Sequence, residues 1–218
     1  MDYKKIEQQL RKLVQVYEKI CNDMDVDFQV EPPATESEIQ RAEQQLNVKL
    51  PVEIRDFFLK FSKNCELNAY LPDSFELPDE LCGIFSVTFR ISLDEIVEAE
   101  LSRGDWQTEC FPDEEDEYDR VWHNKLGLMT VGNGDVIALD IGSDSGEVPV
   151  VYLSHEGDES HGCILGKTFN DYFEALILVG ACGNEDWQIL PFCNDMESGI
   201  DPNCENAKTY RRLIGLEW

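Results

Sequence analysis

Two strand-like runs, Leu126 to Val131 and Val136 to Ile141, are separated only by Gly132-Asn-Gly-Asp135. Asn-Gly is a residue pair that readily accepts the positive φ of a tight hairpin turn, so the spacing predicts an antiparallel hairpin. A second turn, Gly142-Ser-Asp-Ser-Gly146, leads to Val148-Pro-Val-Val-Tyr-Leu153. Proline cannot donate to a ladder, and Pro149 therefore places this third run on a sheet edge or at its own start. The region reads as a three-stranded meander whose glycines are turn chemistry.

Helices surround it. From Tyr3 to about Met24, the residues Ile6, Leu10, Leu13, Val14, Tyr17, Ile20, Cys21 and Met24 recur at three- and four-residue steps among charged residues, the pattern of an amphipathic helix. After Pro32 and Pro33, Thr35-Glu-Ser-Glu38 has the form of a capping box. The helix that it opens buries Ile39, Ala42 and Leu46 and closes at Asn47, which tolerates the left-handed conformation. Pro51 suits the first turn of a third helix carrying Ile54, Phe57, Phe58 and Phe61.

A loop with Leu71-Pro-Asp and Leu77-Pro-Asp precedes the strand-like LCGIFSVTFRIS, residues 81–92. Ser92-Leu-Asp-Glu95 is another capping box, and its helix presents Leu93, Ile96, Val97 and Leu101 up to Gly104. Residues 105–125 hold Trp106, Phe111, Tyr118 and Trp122 around the charge run Asp113, Glu114, Glu115, Asp116 and Glu117, which reads as a solvated loop. Thr168 is the expected N-cap of a last core helix with Phe169, Tyr172, Phe173, Leu176 and Val179.

The chain has 218 residues, 42% of them hydrophobic, enough to bury one substantial core. No apolar run approaches the roughly 18 to 20 residues needed to span a bilayer, and MDYKKIEQQL lacks a signal-peptide h-region, so the expected compartment is the cytoplasm. The eight cysteines are scattered and never form C-x-x-C. They read as small buried thiols in a reducing compartment, with no structural zinc site. The formal net charge of −27 disfavours attraction to nucleic acid or an anionic membrane and calls for a basic partner. No Lys or Arg lies between Lys125 and Lys167, or between Lys167 and Lys208. The acidity is concentrated in the middle and C-terminal parts.

Motifs for chemistry are weak. Asp140 to Gly146 resembles a calcium loop, but its third position is Gly142 and its twelfth is Val151, where a bidentate Glu is required. Gly166-Lys-Thr168 resembles the end of a P-loop, but His161 occupies the position of the first glycine. His155-Glu-Gly-Asp-Glu-Ser-His161 is the best sequence candidate for a metal or a general base, and a metal-dependent enzyme centred on it is the alternative reading. The six-residue His spacing is not a one-face helical pair, however. Ser154 and His155 are adjacent in an extended run, which points them to opposite faces.

The order of these features is similar to that of a known family. Thr35-Glu-Ser-Glu-Ile39, Leu46-Asn-Val-Lys-Leu50-Pro51, Ile54 and Phe57 to Leu59 resemble the N-terminal signature of the SUKH superfamily, of the Smi/Knr cell-wall-regulator type. Gly132-Asn-Gly-Asp135, Ile137, Asp140, the run Val150 to Leu153 ending at His155, Thr168-Phe169 and Tyr172-Phe173 look like its sheet and following helix. Gly183-Asn-Glu-Asp-Trp-Gln188, Leu190-Pro-Phe192, Gly199-Ile-Asp-Pro202 and Asn206-Ala207 through Gly215-Leu216 resemble a C-terminal extension of longer bacterial members. Many members have Asn-Gly-Gly where this chain has Ser62-Lys-Asn64.

The resemblance implies an α+β fold, a twisted, mainly antiparallel β-sheet flanked by helices, with residues 1–31 as N-terminal helix and connector, 32–180 as SUKH-like core and 181–218 as an extension packed on the core. It implies no catalytic residues and no cofactor. Bacterial members of the superfamily are immunity proteins and fungal members regulate cell-wall synthesis, so the expected role is a non-enzymatic immunity protein that binds a basic toxin domain, possibly a nuclease. An adaptor role is the alternative. The expected contact residues are Asp113, Glu114, Glu115, Asp116 and Glu117 together with Glu156, Asp158 and Glu159, because loops carry recognition more often than scaffold does.

Overall fold

The computed structural model describes residues 1–21, 26–143, 146–157 and 159–218. Helix α1 (Tyr3–Ile20) starts where the Asp2 carboxylate accepts the Lys4 and Lys5 N–H groups, and it buries Ile6, Leu10, Leu13, Val16 and Tyr17. Met24 lies outside the described residues. Strand β1 (Asp27–Val30) follows, and then the two helices α2 (Glu36–Leu46) and α3 (Val52–Lys60). The Thr35 capping box is present, with Glu38 N–H donating to Thr35 Oγ1 at 3.3 Å and Thr35 N–H donating to Glu38 Oε2 at 2.7 Å. Asn47 closes α2 at φ 53°, and Pro51 stands one place earlier than expected, as the residue that caps α3.

Phe57 is the centre of the apolar core. Its ring lies 5.3 Å from those of Phe61, Phe169 and Phe173, all edge-on, the arrangement that aromatic quadrupoles favour. This joins α3 to α6 (Phe169–Val179), whose Thr168 cap accepts from Asp171 N–H. Phe89 on β3 (Ser86–Ser92) meets Phe173 at 5.6 Å, so the sheet is tied to the same cluster.

The strands form two antiparallel sheets, β1-β2-β3 with β2 (Asn64–Tyr70), and β4-β5-β6-β7 with β4 (Lys125–Thr130), β5 (Val136–Asp140), β6 (Val150–Leu153) and β7 (Ile164–Gly166). In the first, Cys65 faces Ile91 and Leu67 faces Phe89 across the ladder, and all four are buried. The second contains the expected meander, with Leu126 opposite Leu139 and Ile137 opposite Tyr152. Pro149 precedes β6 directly, and β6 is an inner strand, so the start of the strand is the position that the proline takes. Strand β7 adds a fourth member.

The hairpin turn differs in detail from the sequence expectation. Only Gly134 has a positive φ, 101°. Asn133 serves instead through its side chain, accepting Asp135 N–H at 3.0 Å and donating to Asp135 Oδ2 at 2.7 Å.

Helix α4 (Leu93–Glu109) continues past Gly104. Two long-range anchors hold its extra turns, Arg103 Nη1 donating to Trp122 O at 2.7 Å and Trp106 Nε1 donating to Gly134 O at 3.0 Å. Ser92 caps it by accepting Glu95 N–H at 3.0 Å. The Glu95 carboxylate does not return to Ser92. It accepts from Thr130 N–H at 2.8 Å, Thr130 Oγ1–H at 2.6 Å and Arg90 Nη1 at 3.3 Å, joining the facing edges of β3 and β4. Gly127 lets β4 press against α4, because a Cβ there would lie 2.4 Å from the Ala99 carbonyl carbon.

Helices α5 (Asp119–Trp122), α7 (Asp186–Ile189) and α8 (Glu205–Ile214) complete the chain. In the C-terminal segment Phe192 and Ile214 are buried, Leu190 is half-buried, and Trp187 and Leu213 are 43% and 40% exposed. Ile189, Tyr210 and Leu216 are buried as well. Tyr17 O–H on α1 donates to Gly180 O at 2.6 Å and lies 3.2 Å from Tyr210 Oη. Among the described residues no helix is long and apolar enough to cross a membrane.

Candidate functional site

The acidic run lies in the loop between α4 and α5, and Asp113, Glu114, Glu115, Asp116 and Glu117 are all exposed. The loop is held by its own aspartates. Asp113 Oδ1 accepts Glu115 N–H at 3.0 Å, and Asp116 Oδ1 accepts Tyr118 N–H at 2.8 Å and Asp119 N–H at 3.1 Å. Glu114 leans on the buried His123, Oε1 to Nδ1 at 3.2 Å. Asp113 and Asp116 thus shape the loop as well as charge it, while Glu115 and Glu117 extend outward with no side-chain partner among the described residues.

The second acidic segment follows β6. Glu156 and Glu159 are exposed, and Asp158 lies outside the described residues. Tyr118 brings the two segments together. Its hydroxyl donates to Ser154 O and accepts Gly157 N–H at 2.9 Å, its carbonyl lies 3.0 Å from His161 Nε2, and its ring stacks on the His161 ring at 3.9 Å. Phe111 packs on Tyr118 at 5.3 Å and on Trp122 at 5.1 Å. The aromatic residues Phe111, Tyr118 and Trp122 therefore pack where the loop of the acidic run meets the segment after β6.

The histidines are committed separately. His161 Nδ1 accepts Ser154 N–H at 3.1 Å, which leaves Nε2 to donate to the Tyr118 carbonyl. His155 stacks on Trp106 at 4.5 Å, and its Nδ1 lies 2.6 Å from Asp135 Oδ1. Asp135 is buried at 1% exposure and also accepts from His155 N–H at 2.9 Å and Tyr152 O–H at 2.7 Å. The two rings needed together by a metal-dependent enzyme thus point to different partners. Among the described residues no three His, Cys, Asp or Glu side chains are grouped to hold a metal ion.

The remaining sequence motifs resolve as structure. Gly166 allows the close approach of α6, since a Cβ would lie 2.5 Å from Tyr172 N. Asp140 pairs with Lys125 at 3.1 Å, and Asp144 of the calcium-like loop is outside the described residues. Ser154 is buried, with its Oγ accepting Glu156 N–H at 3.2 Å.

Sequence reasoning missed Glu185 and Asp186 as additions to the acid near the hairpin. Glu185 Oε1 lies within 3.3 Å of the Cβ position of Gly132, and Asp186 N–H donates to Tyr152 Oη at 3.1 Å. Burial, then the nearby Asp186 and Asp135, raises the Glu185 carboxyl above its ordinary value. The stretch Gly183 to Gln188 contained these residues, but nothing local to it indicated the hairpin as their neighbour.

The profile of the SMI1 / KNR4 family (SUKH-1) matches residues 33–175, well over half of the chain. No curated protein sequence matches it. The matched stretch runs from the α2 capping box through β2 to β7 and into α6, and the chain belongs to the SMI1 / KNR4 (SUKH-1) family.

Proposed function

We propose that this protein is a non-enzymatic immunity protein that binds and neutralises a basic toxin domain through residues 113–117 together with Glu156 and Glu159. The family is consistent with an immunity role. The observation that supports the choice of surface is the Tyr118 junction, by which the loop of the acidic run meets the segment after β6. Like charges gathered on one face attract an oppositely charged partner from a distance and raise its association rate. A basic nuclease domain is the partner chemistry that such a face fits best, because the carboxylates compete with the phosphates the nuclease would bind. The same charge works against direct nucleic-acid binding by this chain.

Co-expression tests the role. If a toxin domain is encoded beside this gene, cells producing it are expected to survive when this protein is also produced. Binding without protection supports an adaptor in its place, and absence of both binding and protection removes the immunity reading.

A further inference from the structure

Three large aromatic side chains stand in solvent where three segments of the chain meet. Tyr70 at the end of β2 is 66% exposed, Phe85 just before β3 is 44% exposed and Trp187 on α7 is 43% exposed. The first two rings stack at 6.4 Å, and the backbone fixes them, with Leu71 N–H donating to Phe85 O at 2.8 Å and Tyr70 paired with Ser86 across the ladder. The Trp187 indole lies against Gly83, where a Cβ would come within 3.0 Å of its Cδ1. Its neighbour Gln188 is buried, with its side-chain amide 3.1 Å from Ser86 Oγ. All three rings are thus anchored around residues 83–86.

Exposed aromatic groups gathered in one place mark interaction surfaces, and Trp and Tyr supply much of the binding energy at such surfaces. Charge decides the occupant. No Lys, Arg or His occurs from Asn64 to Phe89 or from Gly183 to Ala207, while Asp73, Glu76, Asp79 and Glu80, in the loop between Tyr70 and Phe85, are all exposed. A second copy, itself at a net charge of −27, would set negative charge against these carboxylates, and so would an anionic membrane. Arginine suits both features, since its planar guanidinium stacks on a ring face and its N–H groups fork onto a carboxylate.

We propose that Tyr70, Phe85 and Trp187 form a docking surface for an arginine-bearing segment of a partner protein. The rings take the guanidinium planes and the apolar stems of the arginines, and the carboxylates of the 71–82 loop pair with the guanidinium edges. This surface shares no residue with the toxin-binding loops, and it stands or falls apart from the immunity role.

The full-length, isotope-labelled protein is titrated at physiological salt with a short flexible peptide of arginines spaced by glycine and serine, and with its lysine and glutamate counterparts. The expected result is movement of the Trp187 indole N–H and of the Tyr70 and Phe85 ring resonances with the arginine peptide, weaker movement with lysine and none with glutamate. Trp187→Leu, which keeps an apolar side chain against Gly83, is expected to weaken binding of the arginine peptide about two- to fivefold. The titration of the parent locates the contact even where the variant fails to fold. Shifts confined to residues 113–117 and the segment after β6 would overturn the proposal, because the peptide would then follow net charge alone. So would equal affinity for the lysine peptide, ring movement with the glutamate peptide, or absence of binding at these rings. Ring signals that broaden with protein concentration alone would also overturn it, by showing that a second copy covers the surface.

Discussion

Tyr118 and His161 are joined twice, by ring stacking at 3.9 Å and by the His161 Nε2–H bond to the Tyr118 carbonyl at 3.0 Å. The Tyr118 hydroxyl adds bonds to Ser154 and Gly157. Replacing Tyr118 with Phe keeps the stack and removes only the hydroxyl bonds. The expected cost is about 0.5 to 1.5 kcal/mol in denaturant unfolding, with faster amide exchange at Gly157 and no change in the core helices. Protection at Gly157 equal to that of the parent would show that the hydroxyl does not hold the loop.

Phe57 is predicted to be a costly position to truncate. It meets five rings edge-on, those of Tyr3, Phe58, Phe61, Phe169 and Phe173, and is fully buried. Phe57→Ala is expected to lose about 3 to 5 kcal/mol, read as a lowered midpoint in thermal unfolding. A loss under about 1 kcal/mol would mean that the cluster collapses around the cavity.

Glu95 joins the two sheets, and its loss should weaken that seam. Glu95→Ala leaves the Thr130 N–H and hydroxyl without their acceptor, at an expected cost of about 1 to 3 kcal/mol. Glu95→Gln retains one acceptor oxygen and is expected to lose less. Equal losses in the two variants, measured by urea unfolding, would point to the carboxylate's charge instead of its hydrogen bonds to Thr130.

The α2 cap gives a pH dependence of known sign. Thr35 hydrogen bonds, side chain first and backbone second, hold the Glu38 carboxyl below its ordinary value. A depressed folded value means that the ionised form favours folding. This contribution is complete above the unfolded value of about 4.3 and is lost as pH falls through the lower folded value. Glu38→Gln removes that part of the acid slope. Identical slopes for parent and variant between neutral and strongly acidic pH would contradict the assignment.

Much of the helical frame was legible because its signals are local. Thr35 with Glu38, Asn47 and Thr168 declare their caps within a few residues, and the hairpin is marked by glycines between two apolar runs. Strand β2 was hidden because Asn64-Cys-Glu-Leu-Asn-Ala-Tyr70 alternates correctly in burial yet contains Asn, Glu and Ala, which are poor strand formers. The end of α4 was misplaced because Gly104 is a local stop signal that Arg103 and Trp106 override through partners 19 and 28 residues away. The charge of the candidate face was legible, but its assembly was not. It depends on Tyr118 reaching Ser154, 36 residues later, and no short pattern encodes that contact.

The central claim is tested most directly by the association rate of this protein with a basic toxin domain sought in the neighbouring genes, measured at low and high salt. The informative variant replaces Glu115, Glu117, Glu156 and Glu159 with Gln, leaving Asp113 and Asp116 to hold the loop. For the parent, association is expected to be fast at low salt and to slow as exposed charges become screened beyond about 8 Å at physiological ionic strength. For the variant, the low-salt rate is expected to fall at least about tenfold, with its salt dependence flattened. An unchanged rate and salt slope in a correctly folded variant would contradict the proposed acidic face, and no association of the parent would contradict the immunity role itself.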